Sequence, residues 1–149
     1  MIQMIEQVSV FLENRPGHLA YLARTIADAD INMRALMVAD TEQFGVARII
    51  CDHPREARKV LESEGFGVSI ANVIAVQMPD RPGGLAEVLE ALGAEGINVE
   101  YAYAFVEPGT NAAVDIFRVD DDRAADVLRA ADITVLGPEK LYEADSAGT

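Results

Sequence analysis

Arg15-Pro16-Gly17-His18-Leu19-Ala20 returns 66 positions later as Arg81-Pro82-Gly83-Gly84-Leu85-Ala86, and Ile31-Asn32 returns at the same spacing as Ile97-Asn98. One small module is written twice. A corner that survives duplication while the surface around it diverges is kept for folding, for binding, or for both. In a chain of 149 residues the repeat divides the sequence into modules at 1–71 and 72–149. At roughly 70 residues each is close to the lower limit for a self-sufficient core.

Working outward from that corner, Val8, Val10 and Leu12 alternate along residues 6–12 with the period of a half-buried strand, and Ile74, Val76 and Met78 repeat the pattern. Pro16 is expected in the first turn of a helix whose apolar face is Leu19, Leu22, Ala23 and Ile26, copied as Leu85, Val88, Leu89 and Leu92. Asp30 and Gly96 suit the left-handed residue that ends such a helix. Residues 31–39 and 44–51 read as a hairpin, copied as 97–107 and 112–119, and after that turn the repeat spacing is expected to become 67. A second helix carries Ala57, Val60 and Leu61 and stops at Gly65, copied as Ala124, Val127, Leu128 and Asp132. Each module closes with a strand, at 66–70 and at 133–136.

Strand, helix, strand, strand, helix, strand is the order of the ferredoxin-like split βαβ fold, so the fold class is α+β: two βαββαβ modules packed together, each an antiparallel sheet with both helices on one face. Residues 68–78 must finish one sheet and begin the next without a flexible linker, and 140–143 fall where a third first-strand would begin. Leu36, Val38, Ala102, Ala104 and Val106 alternate with Met33, Met37, Val99, Tyr101, Tyr103 and Phe105, which makes both sheet faces apolar. The face that the helices leave bare needs a cover, most simply a second copy, so a homodimer is expected.

Composition excludes several classes. A formal net charge of −13 repels phosphate backbones and anionic lipid, which argues against nucleic acid and membrane partners. The single Cys51 rules out an internal disulfide, and His18 and His53 stand in no metal-ligand spacing, so neither a metal nor another cofactor is expected. No stretch approaches a membrane span and the amino terminus lacks a signal-peptide pattern, which points to the cytoplasm. No serine, histidine and aspartate or cysteine and histidine grouping suggests a nucleophile, so no catalytic residue is assigned.

The duplicated corner has two readings. As structure, Asn14, Arg15, Pro16 and Gly17 turn a strand into a helix. As chemistry, the amides of Gly17, His18 and Leu19 are free helix-terminal donors, favourable to a small carboxylate. Asn14 and Asn32 are expected at one edge of the sheet, where two carboxamides would serve both poles of an amino-acid zwitterion. The second module offers Asp80 and Asn98, with Gly83, Gly84 and Leu85 in the loop. Its carboxylate is less hospitable to an anion, so the two sites would differ in ligand preference.

A strand, then Asn/Asp-Arg-Pro-Gly-x-Leu-Ala, a helix, and Ile-Asn with its Asn eighteen residues after the first Asn/Asp resembles the ACT domain, a ligand-binding module attached to enzymes of amino-acid metabolism. Both halves carry the pattern, as in free-standing tandem ACT proteins. The resemblance implies an amino-acid-binding regulatory protein with its ligand at the seam between ACT modules, which either acts on a separate metabolic enzyme or transporter in trans or simply senses and stores a metabolite. In a serine-sensing family member the effector is held by two asparagines that correspond to Asn14 and Asn32. That member also has a histidine two residues before the loop asparagine, where this chain has Leu12 and, in the copy, Met78, which favours a less polar ligand side chain. The site implied is Leu12, Asn14, Arg15, Gly17, His18, Leu19 and Asn32, with Met78, Asp80, Gly83, Gly84, Leu85 and Asn98 in the copy.

Two rivals remain. A protein-interaction subunit would use the apolar sheet face and keep the corner for folding. An acylphosphatase-like hydrolase would place a phosphate on Arg15 and orient water with Asn32, although Arg15 lacks a glycine-rich cradle.

Overall fold

The computed structural model describes residues 4–40, 44–106 and 112–141. The chain forms two compact units. The first takes Glu6–Ala71 together with residues 138–141, and the second takes Asn72–Gly137 together with residues 4 and 5.

The first unit contains β1 (Ile5–Glu13), α1 (His18–Asp28), β2 (Met33–Asp40), β3 (Phe44–Cys51), α2 (Pro54–Ser63) and the start of β4 (Gly67–Pro79). β3 pairs antiparallel with β1 on one side and β2 on the other, and β4 borders β1, its Gly67 lying against Phe11. In the second unit the rest of β4 is followed by α3 (Gly84–Ala94), β5 (Val99–Val106), β6 (Ala112–Val119), α4 (Ala124–Ala130) and β7 (Thr134–Leu136). There the order is β7, β4, β6, β5, all antiparallel. Each unit is thus a βαββαβ sheet of ferredoxin type.

Alternation along the strands and the helix stripe meet in one core per unit. In the first, Val8, Val10, Leu12, Ala47 and Ile49 pack under Leu22 and Ile26 of α1 and Ala57 and Leu61 of α2. In the second, Ile74, Val76 and Phe117 pack under Val88 and Leu92 of α3 and Leu128 of α4. Both helices of a unit therefore cover the same sheet face. The four α-helices among the described residues end as their sequences require: Asp30, Gly65, Gly96 and Asp132 take φ of 60°, 90°, 72° and 63°. The next residue's amide then reaches back five positions, as from Ile31 to the Ile26 carbonyl and from Ile133 to Leu128.

Several expectations need correction. Leu19 and Leu85 lie on the exposed side of their helices, at 40% and 43%, as does Leu89. Only positions 22 and 26, or 88 and 92, reach the sheet deeply. The alternation of the second strand in each unit is broken by a bulge, between Met33 and Ala35 and between Val99 and Tyr101. One extra residue reverses the facing of the rest of the strand, so Met33 and Val99 share the helix side with Leu36 and Ala102, whose cross-strand partners Ile49 and Phe117 are core residues. The repeat spacing also changes further than expected. Leu12 pairs with Gly45 and Met78 with Ala113, a spacing of 68 in the third strand, before 67 returns in the second helix. Residues 140–143 do not begin another strand in their described part. Pro138–Lys140 is a 3-10 turn, and the Leu141 carbonyl, with its side chain buried, accepts a 2.8 Å bond from Arg34 Nε. The expected turn at 107–111, and the terminal residues 142–149, fall outside the described residues.

Candidate functional site

The duplicated Arg-Pro-Gly opens a type II turn. Pro16 and Gly17 occupy its centre, Gly17 takes φ 86° and ψ −15°, and the His18 amide donates to the Arg15 carbonyl at 3.4 Å. The copy is the same: Gly83 takes φ 87° and ψ −10°, and the Gly84 amide donates to Arg81 at 3.0 Å. Pro16 therefore precedes α1 and does not lie in its first turn, because a left-handed Gly17 cannot continue a helix. The third turn position needs φ above zero, which only glycine takes without steric cost. The His18 and Gly84 amides are already used, which leaves fewer free donors at these corners than the sequence implied.

The two asparagines do not converge within a unit. Asn14 follows Glu13, which pairs with Phe44 at one end of β3, whereas Asn32 precedes Met33, which pairs with Cys51 at the other. Seven residue-to-residue steps along the strand separate those ends, about 23 Å. Asn32 is instead tied locally: its amide donates to Asp52 Oδ1 at 2.8 Å and its carbonyl accepts the Asp52 amide at 3.1 Å. Asp80 and Asn98 are separated in the same way, by the register from Pro79 with Ala112 to Val99 with Val119. Arg15 and Asn32 share that separation, so the hydrolase arrangement is not assembled within the unit.

Around identical turns the two corners share their arginine and leucine but differ at four neighbouring positions. In the first, His18 Nδ1 accepts the Glu13 amide at 2.8 Å. The imidazole stacks on Phe66 with ring centroids 5.2 Å apart, and Tyr21 leans on the same ring at 5.3 Å. Arg15 Nε bonds Glu13 Oε2 at 2.7 Å, and this guanidinium holds the Glu13 carboxyl below its ordinary pKa. Burial first, and then the charge of Glu64, push the Tyr21 hydroxyl above its ordinary value. The corner is filled with rings.

In the second corner Pro79 stands at the position of Glu13, Gly84 at His18, Glu87 at Tyr21 and Ile133 at Phe66. The last equivalence is fixed by the helix ends, since Phe66 and Ile133 both donate their amides across the cap of the second helix, to Leu61 and Leu128. Proline has no amide hydrogen, so the donor that His18 satisfied is gone together with the histidine. Gly84 packs so closely on the strand that an added Cβ would come within 2.5 Å of the Pro79 carbonyl oxygen. Arg81, with no Glu13 counterpart, turns to the helix and places Nη2 3.1 Å from both carboxylate oxygens of Glu87. The result is a cleft of about 660 Å³, within the range of small-molecule sites. Met78, Val88, Ala91 and Ile133 form its apolar wall, and Arg81, Glu87, Asp132 and Thr134 supply polar groups.

Of the residues expected from sequence, the cleft gathers Met78 and Gly84. Asp80, Gly83 and Leu85 are exposed on the corner outside its lining, and Leu12 is core. Asn14, Arg15, Gly17 and Leu19 are exposed, and His18 is half-buried in its stack. Arg81 lies within the corner read from sequence but was not singled out, and Glu87 and Ile133 were missed. The signal for those two was present in the unlike positions of the repeat, where the aromatics Tyr21 and Phe66 become Glu87 and Ile133.

One further difference lies outside the cleft lining. Asp115 takes the helix-side position that Ala47 holds in the first unit, paired across the sheet with Val76. Its side chain is buried, its Oδ2 has no hydrogen-bond partner among the described residues, and burial pushes its pKa up to about 6. Among the described residues no helix is long and apolar enough to cross a membrane.

Comparison with known proteins agrees with this architecture. A protein of Bacteroides thetaiotaomicron is 35% identical, with 93% of this chain and 96% of that one covered and a TM-score of 0.88. The regulatory subunits of aspartate kinase from Thermus thermophilus, in ligand-free form, and Thermus flavus share the fold at TM-scores of 0.66 and 0.63. They are 15% and 16% identical, over 89% of this chain and 94% and 92% of theirs. No curated protein matches. A family model described as an ACT domain pair spans residues 3–144, and the chain belongs to that family.

Proposed function

We propose that this chain is a non-catalytic regulatory protein that binds a free amino acid or a closely related carboxylate and passes its occupancy to a metabolic enzyme in trans. The observation that carries the reading is the cleft beside the second corner, where a cation and an anion, Arg81 and Glu87, stand at 3.1 Å beside an apolar wall. An amino-acid zwitterion presents the complementary pair of charges. The Arg81–Glu87 bridge is half-exposed, so exchanging part of it for ligand contacts costs little. Membership of the ACT pair family supports the regulatory role. So does the architecture shared with two chains described as regulatory subunits of an enzyme, which sets a precedent for such a fold acting on a separate catalyst. We place the protein in the cytoplasm as a homodimer; sedimentation at the monomer mass would remove the dimer.

Thermal unfolding with each proteinogenic amino acid tests the reading. A ligand at about 100 times its dissociation constant adds roughly 2.7 kcal/mol to stability. A flat response to all of them favours the second reading, an interaction subunit without a ligand of its own. The exposed Leu19, Tyr21, Leu85 and Leu89, together with a turn that explains the Arg-Pro-Gly motif structurally, give that alternative its support.

A further inference from the structure

Resting on that reading, we infer that only the second unit binds a ligand, that the first corner is closed by its own aromatic side chains, and that the ligand is an α-amino acid with an aliphatic side chain. Three observations lead there, the first two drawn from how the two copies differ.

The first is that the four substitutions between corners act together. Exchange of Glu13 for Pro79 removes an amide donor, and exchange of His18 for Gly84 removes the ring that accepted from it, so space opens without leaving a polar group unpaired. Exchange of Phe66 for Ile133 and of Tyr21 for Glu87 removes the two rings that meet that imidazole. Together the four exchanges accompany a lined cleft.

The second is the direction of the arginine. Arg15 is held on the strand by Glu13, 2.7 Å away, while Arg81 reaches to the helix and stands in the cleft lining. The same turn thus delivers a guanidinium to a ligand site in one unit and spends it locally in the other. A guanidinium offers a carboxylate two parallel donors, and Glu87 and Asp132 offer acceptors to an ammonium group.

The third is the chemistry of the walls. Met78, Val88, Ala91 and Ile133 give an aliphatic surface without an aromatic ring to stack on. Two carboxylates against one guanidinium make the lining acidic, which opposes an aspartate or glutamate ligand. A neutral aliphatic side chain meets neither objection.

Isothermal titration calorimetry with L-leucine, L-isoleucine, L-valine and L-methionine, against L-phenylalanine and L-glutamate, tests the inference. Four proteins are compared: the wild type, Ile133→Phe, which copies the Phe66 ring into the cleft, Arg81→Ala, and Phe66→Leu. The wild type should bind one aliphatic amino acid per chain, and Ile133→Phe and Arg81→Ala should each weaken it by about tenfold or more. Phe66→Leu should leave the affinity unchanged. Arg81 is on the surface, so its variant reports on binding even where Ile133→Phe disturbs folding. Two ligands per chain, or loss of binding in Phe66→Leu with Ile133→Phe unaffected, would overturn the assignment to the second unit while the amino-acid reading stands. Tighter binding of phenylalanine or glutamate would overturn the ligand class. No heat with any of the six would overturn this inference, and silence across all proteinogenic amino acids would remove the sensor reading as well.

Discussion

The two corners share a type II turn almost to the degree, with Gly17 at φ 86° and Gly83 at φ 87°, yet one is packed with His18, Tyr21 and Phe66 and the other opens into a cleft. What duplication preserved is the part the fold needs. What it released is the shell around the turn, and on the proposed reading that shell carries the function. The Arg-Pro-Gly signature therefore marks where a site is possible, and the residues packed against it decide whether one exists.

The largest test of this contrast removes the plug. Phe66 is 6% exposed, and Phe66→Ala should cost about 3–5 kcal/mol in urea unfolding, because the ring fills space that Tyr21 and His18 cannot reach. Ile133 is only half-buried, and Ile133→Ala should cost about 1–2 kcal/mol. Equal costs would mean that the first corner is no better packed than the second.

A second contrast sits inside the sheets. The Asp115 pKa is raised from 3.8 to about 6, so the folded state holds the proton more tightly than the unfolded chain. The stability this group contributes is full below about pH 4, falls as pH rises, and is gone above about pH 6, a loss of up to about 3 kcal/mol. Glu13 and Asp121 have lowered pKa values and act in the opposite sense, losing their contribution as pH falls toward the acid range. The difference between wild type and Asp115→Ala, which restores the first unit's residue, isolates the term. That difference should change with pH between about 4 and 6, and a pH-independent difference would show that Asp115 does not titrate there.

Two smaller effects sharpen the comparison. Gly84→Ala should cost about 1–3 kcal/mol, since its Cβ would meet backbone at 2.5 Å, whereas the first unit carries a full histidine at the same position. Chemical denaturation checks it, and a neutral outcome would mean that the second corner can relax toward the first. Arg81→Ala should change stability by less than about 1 kcal/mol, because its bridge to Glu87 is about half-exposed, while still weakening the ligand. A large loss of stability in that variant would make Arg81 a structural residue.

Much of the fold was legible because its signals are local. Gly65 and Gly96, with Asp30 and Asp132, announced the left-handed helix ends, and the 3.6-residue spacing of Leu22 with Ile26 and Val88 with Leu92 announced the buried stripes. What failed depends on backbone detail that periodicity does not encode. One added residue after Met33 and after Val99 exchanged the faces of two strands, and the sign of φ at Gly17 moved Pro16 out of the helix. The convergence of Asn14 with Asn32 failed for a topological reason, since both strands run antiparallel to β3 and so parallel to each other, which sets the end of one opposite the start of the other. The cleft itself joins the start of α3 to the turn between α4 and β7, positions some fifty residues apart in sequence, about the length of the chain from Gly84 to Ile133. Local patterns do not report such a meeting. Reading the copies against each other for their differences would have pointed to it, because Tyr21 to Glu87 and Phe66 to Ile133 are the changes that empty a corner.

The most direct measurement is a residue-resolved NMR titration of the labelled protein with L-leucine. Saturable shifts at Met78, Arg81, Gly84, Glu87 and Ile133, with Glu13, His18, Tyr21 and Phe66 unmoved, are what an open second corner and a closed first one predict. Shifts centred on His18 and Phe66, or of equal size at both corners, would contradict the account.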